Sequence, residues 1–360
     1  MQGQDPNVSR RKAISTLAVT ALGSAGCIRI KSSTSEPWEP DSERLRWRYK
    51  TEGRVLSSPT LAEGQLYIGS FDGMLRSFEP DTGVLNWKSE TGNQIWSSPT
   101  VHEETVFIGS NDNELHAFGI NGDTRWSFET GDDVRCNPLA VDGSVYVGSI
   151  DDRIYALEAA SGIEHWKTET GDGISARPAK KDDFVYAGGR DGSLYALKAS
   201  SGSISWTYPT DGYISGDIIV ESSSALFGSD DSIFYSVNRH NGDSEWTFES
   251  QAGINASPTF SNNIVFFGDL VGEMYALNSV TGAVRWTSDV PDGPINSKPT
   301  AVDGVVYVGD SRGYLHAFDA DTGDHRWKYE TGNAVNSSPV ITDDTIYFGS
   351  NDGYVYAIER

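Results

Sequence analysis

Cysteine is nearly missing from this chain: it has two, Cys27 and Cys136, among 360 residues. Cys27 falls inside a segment that reads as an export signal, so the mature domain holds one thiol and no intramolecular disulfide. Cys136 occupies a repeat position held elsewhere by Ser97, Ala176 and Ala256, which marks it as a small buried residue rather than a reactive thiol. Positive charge is also scarce. Against 51 acidic residues stand 28 Lys and Arg, a formal net charge of −23, which argues against nucleic acid or an anionic membrane surface as a direct partner. Such a coat of carboxylates suits a salt-rich solvent, because at roughly 1 M ionic strength the Debye length falls to about 3 Å. The composition therefore points to an extreme halophile. No apolar run approaches the roughly 20 residues needed to cross a bilayer, and no apolar period of 3.6 persists long enough for a helix. The motifs H-E-x-x-H and Walker A are missing, and the one G-x-S-x-G match, Gly309 to Gly313, falls at a turn that recurs in every copy (compare "GSFDG" and "GSNDG"), so zinc proteolysis, elbow-type hydrolysis and P-loop phosphate binding lack support.

What the N-terminus does contain is a targeting pattern. Arg10 and Arg11 precede a modestly apolar run, Ala13 to Leu22, and then the small residues "GSAGC" ending at Cys27. The arginine pair resembles a twin-arginine signal, and "SAGC" resembles a lipobox in which Cys27 is lipidated. Ser24 stands where Leu is usual and no Phe follows the arginines, which leaves Sec export open. Residues 1–27 are read as the export signal, 28–43 as a polar tether, and 44–360 as the folded domain. The expected location is extracytoplasmic, on a membrane, through the lipid anchor alone.

The folded part is dominated by a repeat. Phrases such as "AFDADTGDHRW" (Ala317 to Trp327) and "SFEPDTGVLNW" (Ser77 to Trp87) recur, placing Trp47, Trp87, Trp126, Trp166, Trp206, Trp246, Trp286 and Trp327 in one register, at spacings of about 40 residues. Each Trp is followed by a polar link, an "SSP"-like signal, replaced by Asp217-Ile218 in the fifth copy, and two short alternating runs. Four β-rich runs per copy, punctuated by Asp-Gly, Thr-Gly and Ser-Gly, predict antiparallel strands joined by tight turns. Eight such copies predict an all-β, eight-bladed β-propeller of four-stranded blades. The Gly of Thr-Gly is expected at positive φ between the third and fourth strands, with each Trp packed between neighbouring blades as structural glue. The chain opens on a Trp strand, "LRWRYK", and stops after a third strand, "YVYAIER". Residues 44–50 are therefore expected to complete the last blade and close the ring.

The phrase A-x-D-x-x-T-G-x-x-x-W, complete at Ala317, Asp319, Thr322, Gly323 and Trp327, resembles the tryptophan-docking motif of quinoprotein-like propellers, the PQQ-repeat family. The resemblance extends over nearly everything from Leu45 to Arg360. It implies either a dehydrogenase holding pyrroloquinoline quinone or a smaller non-enzymatic propeller of the BamB-like subgroup. The enzymes, as the family implies, carry long insertions, an adjacent cysteine pair, calcium beside the quinone and a catalytic Asp. This chain has almost no insertions and no cysteine pair, so it resembles the second group, with no cofactor and no metal expected. A PQQ-dependent alcohol or sugar dehydrogenase is the alternative.

Side chains that break the repeat are the candidates for function. His116 and His316 sit where other blades have Tyr155, Tyr195, Tyr275 and Tyr356, and read as repeat variants. Asp pairs such as Asp151-Asp152 and Asp230-Asp231 read as turn residues, since none has EF-hand spacing. Positions one and three before the repeat Pro vary most, and there Trp96, Arg135, Arg177, Asp217 and Lys298 depart from the Ser and Asn of other copies. They are assigned to a loop face that docks an as yet unidentified protein partner, with a pairing of Arg177 and Asp217 between neighbouring blades as the competing reading. The propeller is expected to be monomeric.

Overall fold

A computed structural model describes residues 43–290 and 293–360. Within them every regular element is a strand, and the strands form eight four-stranded antiparallel sheets. Blade one is typical. A three-residue inner strand, Thr60–Ala62, is followed by Gln65–Gly69, Met74–Phe78 and the outer strand Leu85–Glu90. The two middle strands are buried almost throughout, because neighbouring sheets cover both of their faces. The outer strand alternates between half-buried and exposed residues, Leu85 and Trp87 inward and Asn86 and Lys88 outward, as a strand with one covered face must.

Two local devices set the register. Between first and second strands, pairs such as Asp142-Gly143 and Asp303-Gly304 have positive φ at both residues, as tight two-residue hairpins with the right twist require. Between third and fourth strands, the Gly of each Thr-Gly or Ser-Gly phrase also has positive φ, for example Gly202 at 69°. That position has a second constraint: a Cβ on Gly202 would lie 2.5 Å from the Trp166 ring of the preceding blade. Gly83, Gly122, Gly162, Gly242, Gly282 and Gly323 stand in the same way against Trp47, Trp87, Trp126, Trp206, Trp246 and Trp286. Several indoles also donate Nε1–H to a carbonyl of the next blade, as Trp47 does to Pro80 (2.7 Å) and Trp166 to Ala199 (2.8 Å). The recurring Thr-Gly…Trp phrase is thus two halves of one inter-blade contact, the glycine of one blade receiving the tryptophan of the blade before it.

The ring closes through the chain's first described strand. Leu45–Lys50 pairs antiparallel with Tyr354–Glu359, Trp47 opposite Ala357 and Tyr49 opposite Val355. Blade eight therefore draws three strands from the C-terminus and one from the N-terminus, so that the third strand is covered as in the other seven blades. At this seam Trp327 has no Thr-Gly turn in front of it. The guanidinium of Arg44 lies over its ring instead, 4.2 Å from the centroid.

Candidate binding channel

The link that precedes each inner strand is extended, so side chains two residues apart share a face. Its apolar residue (Val55, Ile95, Val134, Ile174 and their equivalents) and the small residue two positions later turn into the blade interface and are fully or nearly fully buried. The intervening residues, three and one before the Pro, turn toward the axis. The variable residues assigned to the loop face line the central channel that opens on that face, in two tiers. The upper tier, Leu56, Trp96, Arg135, Ser175, Ser215, Asn255, Asn296 and Asn336, walls a funnel of about 570 Å³. The lower tier, Ser58, Ser98, Asn137, Arg177, Asp217, Ser257, Lys298 and Ser338, forms a waist between this funnel and a second cavity of about 460 Å³.

Hydrogen bonds around the waist explain its composition. The backbone N–H of Ser58 donates to Ser98 Oγ (2.8 Å), that of Ser98 to Asn137 Oδ1 (2.6 Å), that of Asp217 to Ser257 Oγ (2.9 Å), and that of Lys298 to Ser338 Oγ (3.0 Å). The N–H of Ser338 completes the turn onto Ser58 Oγ (2.8 Å). Each blade thus asks the next for an acceptor. Arg177 and Lys298 carry donors only, so the chain of bonds is interrupted ahead of each.

The charged waist residues do not pair as the competing reading supposed. Asp217 Oδ2 lies 3.5 Å from Lys298 Nζ, two blades further round the ring, while Arg177 forms no ion pair among the described residues and its buried Nε has no hydrogen-bond partner in the protein. Lys298, with no partner of opposite charge on a neighbouring waist position, extends to the one carboxylate of its tier.

At the funnel mouth, Trp96 is 37% exposed and packs on Phe71 with ring centroids 4.8 Å apart. The Arg135 guanidinium lies 5.1 Å from its ring centroid and is held from behind by Asp133 (2.7 Å). Farther round the mouth the same pairing recurs, Arg190 at 5.6 Å from the ring of Tyr213, which is 46% exposed. Phe71, Arg190, Tyr213 and Asp230 were missed in the sequence, although Phe71, Arg190 and Asp230 occupy one repeat position, two residues after the Gly that ends the second strand. Burial, followed by the neighbouring Asp231 charge, pushes the Asp230 carboxyl above its ordinary range.

Other candidate chemistry lies in the blades. Each blade uses an Asp to hold one side chain: Asp72 with Arg76 (2.6 Å), Asp112 with His116 (2.9 Å), Asp151 with Tyr155 (2.5 Å), Asp269 with Tyr275 (2.9 Å), Asp310 with His316 (3.1 Å) and Asp352 with Tyr356 (2.6 Å) among them. The two histidines are therefore variants of a repeated clamp. Asp112, Glu114 and His116 bring potential metal-ligating atoms within 4.8 Å of one another, but Asp112 Oδ2 already accepts from Gly92 N–H and from His116. Cys136 is fully buried, donates Sγ–H to the Ala176 carbonyl (3.1 Å) and has its thiol pushed up to about 12 by burial. Arg10, Arg11 and Cys27 lie outside the described residues.

The cysteine pair that the resemblance implies for quinone enzymes is not found among the described residues. The channel's two carboxylates among the described residues are Asp217, set against Lys298, and Asp230, and neither belongs to the cluster of Asp112, Glu114 and His116. The one cysteine among the described residues is behind the channel wall.

Residues 142–360 match the family described as the beta-propeller of the beta-alanine-activating enzyme, and residues 37–135 and 72–174 match the outer membrane protein assembly factor BamB. No curated protein matches the sequence. Among solved structures, BamB from Moraxella catarrhalis is similar with a TM-score of 0.76 at 19% identity, over 88% of this chain and 99% of that one. Quinohemoprotein alcohol dehydrogenase from Comamonas testosteroni is similar with a TM-score of 0.74 at 15% identity, over 88% of this chain and 76% of that one. An assembly factor and a dehydrogenase sharing this ring show that the likeness is one of fold. The matched segments, the eight blades and the Thr-Gly…Trp phrase agree, and the chain belongs to the PQQ-repeat family of eight-bladed β-propellers, with BamB-type repeats in its N-terminal blades.

Proposed function

We propose that this propeller is a non-catalytic scaffold, exported and lipid-anchored at the cell surface, which binds a protein partner through the mouth of its channel. The observation that carries the reading is the pair of aromatic–arginine stacks at that mouth, Trp96 with Arg135 and Tyr213 with Arg190. They place exposed aromatic surface and fixed cations together in a chain of net charge −23. Aromatic and arginine side chains are the ones that anchor protein interfaces, since they bury much area at low entropic cost. The test compares wild type with Trp96→Ala after affinity purification from native membranes. Partner recovery falls while the melting temperature is kept; a lower melting temperature with full recovery returns Trp96 to the scaffold. The anchor rests on "GSAGC": Cys27→Ser is expected to release the protein from the membrane fraction, and unchanged detergent partitioning would refute the anchor. The halophilic reading rests on charge, and predicts loss of near-UV dichroism below about 0.5 M salt, where screening weakens. Turnover of alcohols or sugars on adding pyrroloquinoline quinone and calcium would overturn the non-catalytic reading.

A further inference from the structure

The waist holds a cation that forms no ion pair among the described residues. Of its three charged residues, Lys298 is set against Asp217 at 3.5 Å, which leaves the charge of Arg177 uncompensated. Several half-buried and buried arginines elsewhere are neutralised, Arg76 by Asp72 at 2.6 Å, Arg239 by Asp182 at 2.6 Å and Arg360 by Asp303 at 2.9 Å, while Arg190 at the mouth rests over the Tyr213 ring. An unpaired guanidinium in a channel wall carries a desolvation cost that a carboxylate can offset with two parallel N–H···O bonds. Within the waist this is the one charge that no carboxylate meets, which favours a ligand that brings one carboxylate to this tier. Arg177 borders the lower cavity, and Asp217 and Lys298, which share its tier, border both that cavity and the funnel. A carboxylate at the waist is therefore continuous with a ligand body in the funnel above.

The funnel specifies that body. Asn255, Asn336 and Asp230 line it, and each has a side-chain oxygen, Oδ1, with no hydrogen-bond partner among the described residues, a feature Asp230 shares with Asn111 and Asn351 at the same repeat position. Buried polar oxygens of this kind need donors. A second carboxylate would repel Asp230, and an amine would face Lys298. Hydroxyl groups suit both, because each donates one bond and accepts others. The funnel's volume of about 570 Å³ lies in the range of small-molecule sites.

We propose that the channel binds a small polyhydroxylated monocarboxylate, a sugar acid, with its carboxylate on Arg177 at the waist and its hydroxyls on Asn255, Asn336 and Asp230. The site goes beyond the partner docking proposed for Trp96, and it is tested on the isolated protein, so that either reading can fail alone. Titration calorimetry at one fixed salt concentration compares D-glucuronate, D-glucose and acetate. D-Glucuronate is expected to bind at least about tenfold more tightly than D-glucose or acetate, since each of these lacks one half of the recognition. Arg177→Gln is expected to lose about tenfold or more in D-glucuronate affinity, and Asn336→Leu to lose D-glucuronate binding while leaving the weak acetate response unchanged. Circular dichroism melting of both variants checks that the ring is intact. If Arg177→Gln does not fold, competition against wild type decides: D-glucose displacing D-glucuronate as well as D-gluconate does would overturn the carboxylate assignment. No binding of D-glucuronate, or equal binding by folded wild type and Arg177→Gln, overturns the proposal.

Discussion

The seams between blades and the channel on the axis are made by the same repeat, yet they obey opposite rules. At seven seams a glycine of positive φ receives the tryptophan of the preceding blade, and the chemistry is nearly identical each time. Around the axis no two adjacent upper-tier positions from Leu56 through Ser175 carry the same residue, and the lower tier mixes Ser, Asn, Arg, Asp and Lys. A seam has no freedom: a Cβ on the glycine would collide with an indole, and the indole is the bulk that fills the gap. An axial side chain projects into a cavity, so its identity is less constrained by packing, and at the waist it is limited chiefly by the need for a hydrogen-bond acceptor on the next blade. The eighth seam lies between these extremes, where Arg44 covers Trp327 in place of a turn.

Removing the closing strand breaks the comparison most severely. Deletion of residues 44–50 exposes the edge of Tyr354–Glu359 and uncovers Trp327 together. The expected result is aggregation or a melting temperature lowered by more than about 10 °C, read by scattering and thermal denaturation. Next comes a single seam. Trp166→Ala takes away a ring that is 8% exposed and hydrogen-bonded to Ala199, and is expected to cost about 3–5 kcal/mol in salt-titrated or denaturant unfolding. Its partner Gly202→Ala is expected to cost more than about 1 kcal/mol, through the same clash and a strained φ. The double variant should be less damaging than the sum, because the alanine methyl enters the space the indole leaves.

Acid sharpens the comparison at the blade clamps. Burial tends to raise the Asp72 carboxyl, but hydrogen bonds from Arg76 and Ser70 and the Arg76 charge outweigh it and hold the group down at about 2, against an ordinary 3.8. A carboxyl held below its unfolded value stabilises the fold fully above about pH 4, and that contribution disappears as pH falls toward 2. Asp72→Asn should therefore be less stable than wild type at neutral pH and lose less of its remaining stability between about pH 4 and pH 2, followed by denaturant melts across that range. The smallest effect is expected on the axis. Arg135→Ala, at the mouth, should change stability by no more than about 0.5 kcal/mol, since its guanidinium is partly exposed and its ion pair with Asp133 is local. A loss as large as that of a seam variant would place the mouth in the scaffold.

Much of this could be read along the chain, because it depends on neighbours in sequence. The positive φ of Gly202 and Gly323, the strand alternation of Leu85–Glu90 and the burial of Cys136 follow from turn chemistry, period and repeat position. The variable residues before each Pro were also visible as departures from the repeat. Their meeting place was not. Arg177, Asp217 and Lys298 are 40 and 81 residues apart in sequence, and Trp96 meets Phe71 and Arg135 from flanking repeats.

The sequence by itself determined the eight blades, their strand order and the Thr-Gly…Trp joints, since each arises within one repeat or between one repeat and the next. Only the closed ring decided that side chains from all eight repeats converge on one axis, that Lys298 faces Asp217 and leaves Arg177 unpaired, and that unpartnered oxygens of Asn255, Asn336 and Asp230 share one funnel. The physical reason is closure. An extended link says which residues share a face, whereas the distance between two such faces is fixed by how many blades the ring contains and by the strand, Leu45–Lys50, that shuts it.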